Sequence, residues 1–355
     1  MIAYAFVPRY SPIHRKTPVF FGKKVGFSCI KFEYPIDKRT SPCYNEDCIY
    51  NAVFFVLNFL YEERDMNMKK ILAITLCLVM LLATVCSFAA CGNEKSKVKV
   101  FTEYELTAES YAFAVAKENT ALKDAANALL AELKENGELE NIINSFFDGT
   151  ADFVYENPIP AVPTGADKDN YLVVATNAYF PPFEYYEGNK LTGVDMKIAS
   201  LLAAKLGKTL YINDMEFDSI ISSVKNGESD IGMAGMTVNE ERLKSIDFTT
   251  EYYESAQVLI VREGDTVFAS CKSVADIEAT LKAQASTFKV GTQNGTTGYM
   301  YTAGDEDFGY DGYKNLETKA YTTGALAVLD LANGKIDAVI IDKQPAIMIA
   351  ASTNK

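Results

Sequence analysis

Histidine is almost missing from this 355-residue chain, with His14 the only one. Everything after residue 91 therefore lacks the imidazole that a Ser–His–Asp triad or a His-ligated zinc site needs. Cysteine is nearly as scarce there. Cys29, Cys43, Cys48, Cys77, Cys86 and Cys91 all precede residue 92, and only Cys271 follows. No disulfide can form within residues 92–355, and Cys271 reads as a small packing residue. Basic residues are also in short supply. Residues 92–355 hold 23 Lys and Arg against 40 Asp and Glu, a net −17. So acidic a body argues against nucleic acid and against an anionic membrane surface. No motif in the chain calls for a cofactor.

The long uncharged apolar run that is present spans residues 71–90, follows Lys69-Lys70 and ends in Phe88-Ala89-Ala90-Cys91. A basic start, an apolar stretch and small residues before a cleavage point describe a secretory signal peptide. The cysteine after them resembles the lipobox of bacterial lipoproteins, which implies a lipidated Cys91 and a membrane anchored through that lipid. The run is also long enough to cross a bilayer as an uncleaved helix. Both readings put residues beyond Cys91 outside the cytoplasm. A signal peptide acts at an N-terminus, so translation is expected to begin at Met66 or Met68. Residues 1–65 are then an overlong reading of the gene, 66–91 the signal and 92–97 a polar tether.

The remainder alternates strand and helix patterns. Strands are expected at 111–115, 171–175, 210–213, 231–234 and 338–341. Helices are expected from Thr120 to before Gly137, with Leu122, Ala125, Leu129, Leu130 and Leu133 on one face, and over 139–147, 194–206 and 219–225. Asp218 can cap the last of these. Residues 149–170, with Pro158, Pro160 and Pro163, read as a linker. Such alternation predicts an α/β fold with a mostly parallel sheet. Asn226-Gly227-Glu228-Ser229-Asp230 before one strand is echoed by Asn333-Gly334-Lys335-Ile336-Asp337 before another, which suggests two similar lobes.

Ligands of open α/β sheets lie beyond the carboxyl ends of the strands. Four post-strand loops there carry polar or aromatic groups. Thr237 and Glu240 form a T-x-x-E pattern that would open a helix, with Arg242 able to grip a carboxylate through two parallel bonds; a solvated helix start is the plainer alternative. The Gly/Thr-rich loop 292–298 offers backbone donors to an anion, but no G-K-[ST] follows, so it is no phosphate loop. Asp342 ends a strand, where it either holds an ammonium or caps a helix. Asn177, Phe180 and Phe217 offer an amide and two aromatic faces, which core packing could equally use. Together these groups are the complement of a free amino acid.

The run 175–184, then Gly193-Val194-Asp195, Ala234-Gly235-Met236-Thr237 with Glu241-Arg242, Ile246-Asp247-Phe248 and the run 337–342 resemble the extracytoplasmic solute-binding proteins of polar amino acid ABC importers. The resemblance covers about residues 98–355. It implies a two-lobed periplasmic-binding-protein-like (type II) fold with two hinge strands and no enzymatic activity. It also implies a free amino acid ligand and an ABC importer permease as partners. Arg242 with Thr237 and Thr297 would hold the α-carboxylate, and Asp342 with the Gly235 carbonyl the α-ammonium. Phe180 and Phe217 would sandwich the side chain, with Asn177 and Gln293 at its tip. Relatives that bind cationic amino acids often carry an acid at the Asn177 position, so Asn177 points to an uncharged ligand, although Glu184 could compensate.

Segment order departs from the family. The family's closing elements resemble residues 98–147, which here come first, so the order looks circularly permuted. Linker 149–170, roughly 70 Å if extended, could rejoin the old ends. A misassembled gene product and a swapped dimer are the other readings. The expected lobes are 105–262, and 98–104 with 263–355, with crossing strands at 111–115 and 258–262. Two rival functions share the scaffold: a sensing module for a membrane receptor, and an extracytoplasmic dehydratase with Glu184 as acid.

Overall fold

The computed structural model describes residues 97–355. The expectations for residues 1–96, the lipidated Cys91 among them, lie outside the described residues. Apolar runs build two five-stranded sheets. The first has the order Asp247–Phe248, Ala114–Val115, Ile231–Gly232, Tyr171–Thr176 and Thr209–Asp214. The second has the order Val98–Val100, Gln257–Arg262, Ala338–Asp342, Lys289–Gln293 and Glu317–Tyr321. Both are mixed rather than mostly parallel: Ile231–Gly232 runs parallel to Tyr171–Thr176, while Ala114–Val115 and Gln257–Arg262 run antiparallel to their neighbours.

Helix Thr120–Glu135 buries Leu122, Ala126, Leu129, Leu130 and Leu133, a stripe at i, i+4, i+7, i+8 and i+11. Ala126, not Ala125, completes that face. The Asn119 side chain caps the helix by accepting from the Leu122 N–H at 3.3 Å. Burial of each leucine stabilises by about 1.5–3 kcal/mol, so this face is what holds the helix down.

The sequence echo is a structural echo. Asn226 and Asn333 each end a helix, and Gly227 (φ 69°) and Gly334 (φ 72°) supply the left-handed residue after it. Asp230 then brackets Val173, its N–H donating to the Val173 carbonyl and its carboxylate accepting from the Val173 N–H, both at 2.8 Å. Asp337 brackets Lys289 in the same way, both bonds at 2.9 Å. One device thus sets the register of a parallel strand in each lobe.

The lobes are joined by a short antiparallel ribbon, Glu109–Tyr111 against Tyr253–Ser255, with Tyr111 opposite Tyr253. The ribbon overlaps the expected 111–115 strand only at Tyr111 and precedes 258–262. The run Val258, Leu259, Ile260 and Val261 is buried throughout, the mark of a strand covered on both faces, and it sits inside the second sheet. The lobe boundary therefore falls before Gln257, not after Arg262.

Residues 98–147 contribute strands to both sheets. Val98–Val100 edges the second sheet, and the Asn354 carboxamide oxygen accepts from the N–H groups of Lys97 and Val98 at 2.7 and 3.0 Å. Residues 149–170 are not a free linker but a strap along the edge of the first sheet. The Asn157 side chain donates to the Ile212 carbonyl at 2.7 Å and accepts from the Ile212 N–H at 2.8 Å, mimicking a sixth strand. Cys271 is buried in the second lobe, as a packing residue would be.

Candidate functional site

Between the lobes lies a narrow, tightly closed cavity of about 10 Å³, room for about one water. Asn177, Phe180, Phe217, Gly235, Thr237 and Arg242 line it from the first lobe, and Gln293, Thr297 and Asp342 from the second. The structure thus brings all nine expected residues together, and adds Glu184 and Thr296.

Arg242 is 4% exposed. Its guanidinium donates to the Thr237 carbonyl at 2.7 Å and, across the cleft, to the Gly295 carbonyl at 3.1 Å, and it lies 5.4 Å from the centre of the Phe217 ring. Burial pulls its pKa down to about 10, although Glu109 and Asp342 oppose that shift. No ion pair among the described residues includes Arg242, and the residue lines the cavity. The expected Thr237–Glu240 capping box does not form. Asn239 caps helix Glu240–Ser245 instead, accepting from the Arg242 N–H at 2.8 Å, because Thr237 spends its hydroxyl on Glu109 at 2.6 Å.

Asp342 is 4% exposed and makes no capping bond to the helix Lys343–Thr353 that it precedes. Its carboxylate accepts from the Tyr111 hydroxyl at 2.5 Å. Burial, then repulsion from Glu109, raises its pKa to about 7, against the pull of bonds from Tyr111 and Gln257. Tyr111 stays neutral, since burial and Asp342 both push its pKa well up. Asp342 is therefore a carboxylate at the edge of ionisation, ready to be fixed in its charged form by a cation.

At the far end the Asn177 carboxamide oxygen accepts from the Gln293 side chain at 2.9 Å, while its amide nitrogen donates to the Met215 carbonyl at 2.8 Å. The two expected tip residues thus bind each other across the cleft. The Gln293 oxygen keeps no partner among the described residues. Asp218 does not cap the helix at 220–225. It accepts from the Asn294 side chain at 2.7 Å and so forms another lobe-to-lobe bond.

Sequence reasoning missed the hinge contribution. Glu109 accepts from Thr107, Thr237 and Gln257 at 2.6, 2.6 and 3.0 Å, tying the ribbon to both sides of the cleft. Tyr111 and Glu109 sit in a strand with no motif around them, and only pairing reveals them. Gly193 could have been read more sharply. At φ 125° it lets Val194 and Asp195 donate to the carbonyls of Pro182 and Phe183 at 3.0 and 2.9 Å, where a Cβ would stand 2.1 Å from the Phe183 oxygen.

Residues 172–342, which hold every expected ligand residue, match the family of bacterial extracellular solute-binding proteins, family 3. Two α/β lobes crossed by a pair of strands are the type II periplasmic-binding-protein architecture that the resemblance implied. Among curated relatives, the putative ABC transporter arginine-binding protein 2 of Escherichia coli (strain K12) is 33% identical over 47% of this chain and 61% of its own. The ABC transporter arginine-binding protein 1 of the same organism is 32% identical over 50% of this chain and 65% of its own. The chain thus spans less than two thirds of these relatives. A solved ancestral arginine-binding protein bound to arginine is 33% identical over 52% of this chain and 74% of its own, with a TM-score of 0.43.

Proposed function

We propose that this protein works outside the cytoplasm, where it binds a free polar amino acid between its lobes and delivers it to an ABC importer permease. The observation that carries this reading is charge placement. A buried guanidinium on one lobe and a buried carboxylate on the other line a single cavity, and neither belongs to an ion pair among the described residues. A zwitterion satisfies both at once, its carboxylate on Arg242 with Thr237 and Thr297, its ammonium on Asp342 with Gly235. Phe180 and Phe217 flank the side chain, and Asn177 and Gln293 exchange their mutual bond for bonds to its tip. Ligand contacts to both lobes favour the closed form.

A lipid on Cys91 would keep the protein at the membrane. A circular permutation accounts for the partial, collinear match: the family segment begins at residue 172, and the elements at 98–147 precede it. The test is calorimetric titration of the full chain against the twenty amino acids. Saturable binding of one or a few is expected. A folded chain that binds none would refute the reading.

A further inference from the structure

Glu109 does not line the cavity, yet elements from both lobes close on it. It is 7% exposed, and its side chain meets three donors: the hydroxyls of Thr107 and Thr237, both at 2.6 Å, and the Gln257 amide at 3.0 Å. A carboxylate can accept all three, whereas a carboxamide cannot, because one of its two heads is itself a donor. We propose that Glu109 is a positioning residue of the ligand site: from the hinge it fixes the directions in which Thr237 and Gln257 donate, and it sets a second carboxylate beside Asp342. This rests on the amino-acid reading above for what Asp342 holds.

Strand geometry aims it. Glu109 and Tyr111 stand two residues apart in the hinge strand and share a face, the one from which Tyr111 reaches Asp342. In the first lobe, the Thr237 hydroxyl gives its one proton to Glu109, so its oxygen is left to accept the Thr297 hydroxyl across the cleft at 3.3 Å. The relay therefore runs one way, from Thr297 through Thr237 to the hinge. In the second lobe, Gln257 is in register with Asp342, and its amide bonds both Glu109 and Asp342. Turning that amide over would set its oxygen against two acids, so it keeps this direction even though the oxygen meets no donor among the described residues. The Gln257 backbone N–H is held as well, donating at 2.9 Å to the Thr107 hydroxyl that itself donates to Glu109. After burial, repulsion from Glu109 is the largest cause of the high Asp342 pKa of about 7. The other ionisable groups that bear on Asp342 are Tyr111 and Tyr253 from the ribbon, Glu184 and Arg242 from the first lobe, and Tyr310 from the second. Glu109 thus sets, from behind the cleft, the pH at which the ammonium site gains its charge.

Carbon NMR of the full chain labelled at its aspartate carboxyls follows Asp342 directly, its signal identified by its absence in Asp342→Asn. Without ligand it should titrate at about pH 7 in the wild type. In Glu109→Gln it should titrate about one unit lower, the effect of removing a like charge nearby. Calorimetry with L-glutamine and L-arginine as probes should show Glu109→Gln binding about tenfold more weakly at about pH 8.5, where Asp342 is charged in both proteins. At about pH 6 the deficit should shrink to about twofold, because most wild-type Asp342 is then protonated and only about half of it in the variant. Glu109→Asp keeps the charge on a shorter stem, so Asp342 should titrate as in the wild type while binding weakens; this variant decides should Glu109→Gln fail to fold. An Asp342 titration unmoved in Glu109→Gln, one shifted by a full unit in Glu109→Asp, or a binding deficit equal at both pH values overturns the inference. Should neither probe bind, the ligand-free NMR titration still decides it, and that failure counts against the amino-acid reading alone.

Discussion

Tyr111→Phe removes a single oxygen, and its effect can be worked through. The Tyr111 hydroxyl, held by Ser255 at 3.0 Å, donates to Asp342 at 2.5 Å and so favours the charged carboxylate. A hydrogen bond to a charged group contributes about 1.5–3 kcal/mol. At 1.36 kcal/mol per pKa unit, its loss raises the Asp342 pKa by about one to two units. From about 7 in the parent, the variant reaches about 8–9. The charged fraction at pH 7 then falls from about a half to between a tenth and a hundredth, and ligand affinity falls about five- to fiftyfold. The direction with pH is fixed: an ammonium binds the ionised carboxylate, so the variant should recover affinity relative to wild type as pH rises toward about 8.5. Calorimetric affinities measured from about pH 6 to 8.5 on both proteins test this. A deficit that is the same at every pH would refute the reasoning and make Tyr111 a packing residue of the hinge.

Arg242→Ala should weaken amino acid binding by about 30- to 3,000-fold, the range found when one partner of a buried charge pair is truncated; a loss under about threefold in titration would remove Arg242 from the carboxylate site. Gly193→Ala places a Cβ 2.1 Å from the Phe183 oxygen at a positive φ, so unfolding stability should drop by about 2–4 kcal/mol; unchanged urea midpoints would count against the close approach. Burial raises Asp342 to about 7 and Asp195 to about 6, both from 3.8. A carboxyl that binds its proton more tightly when folded stabilises fully below its unfolded pKa and loses that contribution as pH rises through the folded one. The ligand-free protein should therefore become easier to unfold from about pH 4 to 7, and a saturating amino acid should reduce the slope; urea melts that strengthen with pH over that window would contradict this.

Much of the fold was legible because local chemistry writes it. Helix Thr120–Glu135 was readable from its leucine spacing and the stop at Gly137, and the paired N-G-x-x-D motifs announced two lobes. The loops after the strands gave up their polar residues for the same reason: strand ends and helix starts leave marks in sequence. What stayed hidden were contacts between residues far apart in the chain. Asp218 looked like a cap and is a lobe-to-lobe bond to Asn294; Thr237 looked like a cap and is a ligand of Glu109. Residues 149–170 looked like a linker because prolines carry no periodicity, yet Asn157 stitches them to Ile212.

By itself the sequence determined the α/β class, the two lobes and the set of side chains suited to an amino acid, since these follow from periodicity, punctuation and residue chemistry. Only the tertiary structure decided where the chain crosses between lobes, which hydroxyl supports Asp342, and that Glu184 joins the cavity lining. Those facts depend on desolvation and on partners more than a hundred residues away, and no window of sequence contains them.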